Sequence, residues 1–438
     1  MKKKILLTIW PPFWPKIPPL GIASLQEFLL KKHIKADLSD FNNIFYNLSP
    51  PDLKKSYLVS CPKAFEENIH GIIKNNFRIE YEGAINKILQ YDIVGFSCFK
   101  SNLNATLKTI KDLKTKKAGI EIILGGPEIT RLHLKNPGKF TDEIENLSDS
   151  IVVGEGELPI LNYITKKSAS KKISRFLELD NLKNLPFPRY NSLDLQRYPR
   201  KDAISVLFSR GCFKKCTFCS ERLLYKKFRT RPVSDVIKEI DYHVSNNGIK
   251  YFIFHDSMIN ADLEKLEKLC EAIIENFGSV KWEAQLYIRD DISQTLLEKM
   301  KKSGCYNLFI GLESGCDKTL RNMNKGFATK TVLSLFKKLL SSGLSFGVSI
   351  IVGYPGETEK DFRKSLNFLI RNKKLIPKIE QLNPFTYYDG TDIDEKFDYS
   401  INKSSLARFK IFIDEIKRHN IRHTNAFLGN LIEKDAGI

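Results

Sequence analysis

The sequence predicts an α/β protein built in two parts: a doubly wound parallel sheet, then an open, partial parallel barrel of six strand–helix units with a helical tail. Three observations predict it. Near-continuous apolar strands alternate with amphipathic helices in two separate series, the pattern of parallel strands buried on both faces. A proline-rich stretch, Leu185-Pro186-Phe187-Pro188 with Pro199 beyond it, divides the two series, and proline disfavours both helix interiors and central strands. Loops of small residues follow strands of the first series, where open parallel sheets bind ligands.

The first series opens with the strand Lys4–Ile9, capped by Lys2-Lys3 and stopped by Trp10-Pro11-Pro12. Residues 20–30 carry a wide apolar face and predict a helix. A second strand is expected near Ala36-Asp37-Leu38, and an irregular insertion with helices over 43–90. Strands return at Ile93–Phe96, Ile122–Leu124 and Ile151–Val153, followed by Ser97–Asn102, Gly125-Gly126-Pro127-Glu128 and Gly154-Glu155-Gly156-Glu157. Residues 164–200 are expected to form a linker.

The second series predicts strands at Ile204–Phe208, Tyr251–Phe254, Val280–Ala284, Leu308–Ile310, Phe346–Val352 and Ile379–Leu382. One intervening helix is expected from Ser234 as N-cap to about Asn246, with Gly248 past its end. Active sites of such barrels lie at the C-terminal ends of the strands. In the tail, Leu406, Phe409, Phe412, Ile413 and Ile416 share one helical face. The expected boundaries are a first domain over 1–163, the linker, a second domain over 201–395 and a helical segment over 396–438.

Composition narrows the functional classes. With 42% hydrophobic and 28% charged residues, the chain is ordinarily globular. No apolar run reaches the ~18 residues that span a bilayer, and the first apolar stretch is too short and proline-stopped for a secretion signal. No membrane association and a cytoplasmic location are therefore expected. The net charge of +19 raises the question of nucleic acid, but the lysine pairs (31–32, 54–55, 116–117, 171–172, 301–302) are dispersed along the chain, with no basic tail, so no nucleic-acid partner is expected.

Three of the eight cysteines, Cys212, Cys216 and Cys219, crowd into Arg210-Gly211-Cys212-Phe213-Lys214-Lys215-Cys216-Thr217-Phe218-Cys219, directly after the first strand of the second series. In a reducing compartment such a group reads as a metal site, not as a disulfide framework. Three thiolates can hold three irons of a [4Fe–4S] cube and leave the fourth open to a substrate or cofactor. Zinc or a chance cluster are the other readings, although zinc wants four Cys/His ligands and no neighbouring pair supplies the fourth. The other five cysteines read as small buried hydrophobes.

The C-x3-C-x2-C spacing, with an aromatic residue before the last cysteine and a barrel strand before the first, resembles the radical SAM superfamily. The resemblance implies that S-adenosylmethionine (SAM) chelates the open iron and is split, after one-electron reduction, into methionine and a 5′-deoxyadenosyl radical. Further segments match in order: Phe254-His255-Asp256-Ser257, Trp282-Glu283-Ala284-Gln285 with Arg289, Gly311-Leu312-Glu313-Ser314-Gly315, Asn324-Lys325-Gly326, and Gly353-Tyr354-Pro355-Gly356-Glu357-Thr358. By resemblance, Phe218, Asp256, Ser257, Gln285, Arg289, Glu313, Ser314, Gly353, Pro355 and Gly356 would contact SAM. Glu357 or Thr358 also reads as a helix start.

Pro18-Pro19-Leu20-Gly21, Val94-Gly95-Phe96-Ser97, Leu124-Gly125-Gly126-Pro127 and Val153-Gly154-Glu155-Gly156-Glu157 are similar to the Rossmann-like cobalamin-binding domain that precedes many radical SAM barrels of the TIM-like (β/α)6 type. Leu20, Gly21, Ser97, Phe99, Ser101, Gly125, Gly126, Pro127, Gly154, Glu155 and Gly156 would then cradle a corrin. None of the seven histidines stands in a D-x-H-x-x-G motif, so cobalamin is expected without a protein histidine ligand. The implied activity is methyl transfer from methylcobalamin to an unactivated carbon of a small molecule or peptide, supplied with electrons by a donor such as flavodoxin or ferredoxin, with the cavity at the domain boundary. The alternatives are a non-methylating rearrangement, cyclisation or oxidation; a tRNA methylthiotransferase-like enzyme, against which Cys61 and Cys98 stand as isolated cysteines; and a non-catalytic metal-binding protein.

Overall fold

The computed structural model describes residues 3–58, 63–165, 172–174, 176–388, 390–393 and 403–424. The chain divides into two compact units. One comprises Met1–Ser205 with Leu223–Lys226 and Asn246–Ile249, and the other comprises Val206–Arg222, Lys227–Ser245 and Lys250–Ile438.

The first unit is built on β1 (Ile5–Ile9), β2 (Asp37–Asp40), β3 (Ile93–Ser97), β4 (Glu121–Gly125) and β5 (Ser150–Ile151). They pair in parallel in the order β2-β1-β3-β4-β5. Every residue of β1 is buried, as a central parallel strand with both faces covered requires. The strand order reverses between β1 and β3, so the ends of those two strands form the crevice where doubly wound sheets take ligands. The stretch expected to be irregular is instead regular: Phe41–Leu48, Pro51–Leu58, Lys63–Asn76 and Arg78–Ile88 are helices. Their apolar faces converge on Trp10, whose ring meets Phe41, Phe45 and Tyr81. Period-3.6 spacing in 63–88 is diluted by lysines and glutamates on the outer faces, which is why the sequence reads as ambiguous there.

The expected linker packs with the first unit. Val153 N donates to Ser174 Oγ at 3.0 Å, Leu179 N to Glu155 Oε2 at 2.9 Å, Asn47 Nδ2 to the Arg197 carbonyl at 3.0 Å, and Tyr198 Oη to Asp40 Oδ2 at 2.7 Å. Its prolines keep the backbone extended, and the side chains of Glu155 and Asn47 satisfy backbone groups that a ladder would otherwise pair.

Strand β6 (Ala203–Val206) crosses the boundary at Ser205, and the second unit goes on with a two-residue antiparallel pair β7 (Ser209–Arg210) and β8 (Arg229–Thr230), then β9 (Tyr251–Phe254), β10 (Lys281–Leu286), β11 (Cys305–Glu313), β12 (Phe346–Val352) and β13 (Ile379–Pro384). The large sheet runs β13-β12-β11-β10-β9-β6, with every pair from β9 to β13 parallel. Neighbours in space thus follow chain order. Right-handed crossovers then put every connecting helix on one face, and the sheet curls into a partial barrel. Strand β10 shows the two faces: Trp282, Ala284 and Leu286 are buried, whereas Lys281 and Gln285 are exposed.

Details differ from expectation at the ends of elements. The strand expected over Ile204–Phe208 stops at Val206, because the chain turns at Leu207 to enter the β7–β8 pair. The helix expected to be capped by Ser234 spans Val233–Asn247, so Ser234 lies in its first turn, after Pro232. The helix Lys403–Arg418 buries Phe409, Phe412, Ile413 and Ile416. The Leu406 side chain, Cys61 and residues 425–438 lie outside the described residues. Among the described residues no helix is long and apolar enough to cross a membrane.

Candidate active site

The cysteine loop leaves β7 through Gly211, whose φ of 84° suits a residue without a side chain. Cys212 and Cys219 are partly open and Cys216 is buried, all three as free thiols. Two other segments brace the loop. Thr217 N donates to the Met323 carbonyl at 3.1 Å, and Asn324 Nδ2 donates to the Lys215 carbonyl at 2.7 Å. Thr217 Oγ1 and Tyr354 Oη share a hydrogen bond of 2.7 Å. Phe218 packs against a small apolar group made by Met323, Tyr354, Phe385 and Ile393. Met258 Sδ stands 3.7 Å from Cys212 Sγ.

Burial pushes the Cys212 and Cys216 thiols above their ordinary range, and the charge of Lys325 opposes this at both. Among the described residues no three His, Cys, Asp or Glu side chains converge on a single-ion site. A [4Fe–4S] cube takes one thiolate per iron and so spreads its ligands more widely than a lone zinc with four bonds of ~2.3 Å. Three free thiols on one loop, held from both sides, fit such a cube in donor chemistry.

Of the residues expected around SAM, the structure brings Glu313 and Phe218 to the same locality through Lys325. Glu313 ends β11 at a bulge, with a φ of 67° that is rare outside glycine. Its carboxylate is buried, accepts from Ser349 Oγ at 2.8 Å and lies 3.5 Å from Lys325 Nζ. The Lys325 ammonium in turn stands 5.7 Å from the Phe218 ring centroid. Gln285 is exposed on the uncovered face of β10. The turn after β12 carries Gly353, with a φ of 80°, and Gly356, with 76°. Gly353 N donates to Glu357 Oε2 at 3.0 Å. Thr358 then starts the next helix with a capping box to Asp361, as the sequence suggested for this turn.

Four of the residues expected around SAM make polar contacts inside the protein. Asp256 is buried, accepting from Phe208 N at 3.0 Å and from Ser209 Oγ, and thereby fastens the entry to the cysteine loop. Burial holds its carboxyl up at about 6. Ser314 is buried and accepts from Cys316 N at 3.1 Å. Arg289 pairs with Asp291 and donates to the Asn260 carbonyl at 2.7 Å. Ser257 donates to Glu221 Oε1 at 3.3 Å. A strand-end polar residue looks alike in sequence whether it faces a ligand or the backbone of the next strand.

In the first unit, the loops after β3 and β4 interlock. Cys98 N donates to the Gly125 carbonyl at 2.7 Å, and Glu128 N donates to the Cys98 carbonyl at 3.1 Å. Gly126 has a φ of 103°, and a Cβ there would stand 2.7 Å from the Cys98 oxygen. Pro127 begins the helix that follows. Asn102 is fully buried, accepting from Phe99 N at 2.7 Å and donating to the Trp10 carbonyl at 2.9 Å. Ser101 Oγ donates to the Pro12 carbonyl at 2.7 Å, and the Phe99 and Phe13 rings lie 4.2 Å apart. Ser97 ends β3 beside them, so Ser97, Phe99 and Ser101 gather at the switch point. Gly154 and Gly156 close the β5 loop against Phe176 and Leu25, and Glu155 is buried. Leu20 and Gly21 open the helix after β1. Asn102, Met258, Tyr354 and Lys325 were not expected to matter individually. Lys325 carried a signal as part of Asn324-Lys325-Gly326, Tyr354 as part of Gly353-Tyr354-Pro355-Gly356 and Asn102 as the end of the loop Ser97–Asn102, whereas Met258 carried none.

Comparison with known proteins decides what this barrel is. The family model described as the radical SAM superfamily matches residues 206–369. Residues 206–369 form a radical SAM domain. An uncharacterized methyltransferase of Pyrococcus horikoshii is 24% identical over 414 residues, 89% of this chain and 80% of that protein. The ribosomal protein uS12 methylthiotransferase RimO of Thermosipho melanesiensis is 31% identical over 193 residues, 42% of this chain and 44% of RimO. Among solved structures, the cobalamin-dependent S-adenosylmethionine radical enzyme OxsB shares the fold with a TM-score of 0.65 at 14% identity, covering 96% of this chain. The match spans 56% of OxsB. The radical SAM methyltransferase TsrM from Kitasatospora setae, solved with cobalamin and a [4Fe–4S] cluster, gives a TM-score of 0.65 at 12% identity, covering 89% of this chain and 74% of TsrM. The fold of both units is therefore one shared with OxsB and TsrM.

Proposed function

We propose that the enzyme is a cobalamin-dependent radical SAM methyltransferase acting on an unactivated carbon of a small polar molecule or peptide. The carrying observation is the pairing, in one chain, of a three-cysteine loop at the mouth of a partial barrel with a sheet of order β2-β1-β3-β4-β5, whose switch-point loops are locked into a backbone cradle. Cys212, Cys216 and Cys219 would hold the cluster. Glu313, Phe218 and the Gly353–Gly356 turn would take SAM, and Ser97, Phe99, Ser101, Gly125, Gly126 and Pro127 the corrin. When bound, these groups supply a 5′-deoxyadenosyl radical and a transferable methyl group.

The chain's own contribution is position and seclusion. Asp256 fixes the chain entering the cysteine loop through Phe208 and Ser209, and Thr217 and Asn324 fix the loop itself. Glu313 is pre-oriented by Ser349 to accept hydrogen bonds. The uncovered face of the barrel sheet is polar: His255, Gln285 and Gln381 are exposed there, and Asn307 Oδ1 is buried without a hydrogen-bond partner. Neutral donors and acceptors of this kind suit a substrate that hydrogen-bonds, not an aliphatic one. A methylthiotransferase activity is the second reading, favoured by the RimO relative. Within the first unit its described cysteine, Cys98, is fully buried with its thiol pushed far up by burial, which does not suit a cluster ligand.

Anaerobic reconstitution with iron, sulfide and hydroxocobalamin, followed by desalting and metal analysis, tests the proposal. About four irons and one cobalt per chain, with label moving from methyl-labelled SAM onto cobalamin, support it. Iron without cobalt overturns methyl transfer through cobalamin and leaves the first unit as a substrate-binding or structural module.

A further inference from the structure

We propose that Lys325 is a built-in counter-charge for the cysteine loop, held there by the segment 322–326 so that a cluster on Cys212, Cys216 and Cys219 is easier to reduce. The inference rests on reading those cysteines as ligands of a [4Fe–4S] group.

The geometry is that of a deliberately placed cation. Lys325 is only 6% exposed, and an ammonium is rarely buried without compensation. Its carboxylate partner is Glu313, at 3.5 Å. The Phe218 and Phe327 ring centroids stand 5.7 and 5.6 Å from its Nζ, and ring faces attract cations. Phe218 is the residue immediately before Cys219. Gly311 makes room for the pair, because a Cβ there would lie 2.6 Å from Glu313 Oε1 and 3.2 Å from Lys325 Nζ.

The segment that carries Lys325 is also the segment that holds the loop. The Asn322 carbonyl accepts from Thr217 Oγ1 at 3.2 Å, the Met323 carbonyl from Thr217 N at 3.1 Å, and Asn324 Nδ2 donates to the Lys215 carbonyl at 2.7 Å. The Lys325 carbonyl accepts from Tyr287 Oη. Loop and cation are therefore fixed to each other and cannot drift apart independently.

Glu313 does not cancel the charge where it matters. Its second oxygen is turned away from Lys325 to Ser349 Oγ. An oxidised [4Fe–4S]2+ core with three thiolates carries a net charge of −1, and one electron from an external donor takes it to −2. No bond changes, and Lys325 keeps its proton. A nearby fixed cation stabilises the more negative state more strongly.

The experiment is an anaerobic redox titration of the reconstituted full chain with dithionite, without SAM, followed by electron paramagnetic resonance. The variants are Lys325→Met, Lys325→Arg and the double variant Lys325→Met/Glu313→Gln, which leaves no unpaired buried carboxylate if Lys325→Met folds poorly. Labelled-SAM binding is measured in parallel by equilibrium dialysis. At the potential that half-reduces the parent, the reduced-to-oxidised ratio should fall about tenfold in Lys325→Met, a displacement of 59 mV for one electron. It should fall part-way in the double variant and stay within about twofold of the parent in Lys325→Arg. An unchanged ratio in Lys325→Met or in the double variant overturns the proposal, and weakened SAM binding beside it would make Lys325 a SAM anchor instead. A fall in Lys325→Arg as large as in Lys325→Met also overturns it, because shape and not charge would then be responsible. A parent that forms no cluster removes the underlying reading along with the proposal, an outcome visible before any variant is compared.

Discussion

The two sheets end in opposite ways. At the C-terminal ends of β3 and β4 the first unit presents main chain: carbonyls and amides of Cys98, Gly125 and Glu128 bond one another, and the polar side chains of Ser101 and Asn102 are turned onto carbonyls of the β1 loop. At the corresponding ends in the second unit, side chains carry the chemistry: three thiols, Glu313, Lys325 and Gln285. On the proposed reading, the first arrangement would shape a surface for a large preformed group, and the second would supply donors and charge. Changes in the two places should therefore fail differently, by geometry in one and by chemistry in the other.

The largest effect belongs to the second unit. Replacing any one of Cys212, Cys216 or Cys219 by Ala should abolish cluster retention and SAM cleavage, since two thiolates do not hold a cube against chelators. Iron analysis after desalting reads the first loss and 5′-deoxyadenosine formation the second. Folding should change little in the Cys212 and Cys219 variants, because both residues are only partly buried. A variant that keeps full iron would break the comparison by showing that the loop is not where the chemistry resides.

Next comes Gly126→Ala. The left-handed φ and the 2.7 Å approach to the Cys98 oxygen should cost about 2–4 kcal/mol in the first unit and lower cobalt per chain without touching iron. Gly21→Ala is the control, because nothing lies within 4 Å of an added Cβ there and its effect should stay within about 0.5 kcal/mol. Asn102→Ala should cost somewhat less than Gly126→Ala, about 2 kcal/mol. It strands the Phe99 amide and removes the tie to Trp10. Denaturant midpoints order the three.

Much of this was legible in the sequence. The strand runs, the cysteine spacing and the glycine turns are local signals, and each barrel strand from β9 to β13 was expected within a few residues. Less legible was anything decided by what lies across the fold. Asp256 and Glu313 are both acidic residues at strand ends, yet one faces the Phe208 amide and the Ser209 hydroxyl and the other faces Lys325. The bulge at Gly311/Glu313 that turns Glu313 inward has no period-2 signature. The helical layer over 63–88 was obscured by its charged outer faces, and the linker by prolines that prescribe extension without naming what the chain lies against.

The smallest expected effect sharpens the comparison from within the glycine turn of the second unit. Burial raises the Glu357 carboxyl to about 7, against the opposing pull of the Gly353 amide and of Arg408. Its folded value thus lies above its unfolded value of 4.5, so the native state binds the proton more tightly. The ionised form costs stability above pH 7, and that cost disappears as pH falls through about 7 towards 4.5. Glu357→Gln keeps an oxygen that can accept from Gly353 N and removes the charge. It should therefore stabilise the protein by about 1 kcal/mol at pH 8, a figure discounted for partial solvent access, and by almost nothing at pH 4.5. Thermal or denaturant midpoints across that range read the slope. A Glu357→Gln protein that is less stable than the parent at pH 8 would mean that the charged carboxylate holds the turn more firmly than an amide can. The second unit would then use charge to shape its backbone as well as to supply chemistry.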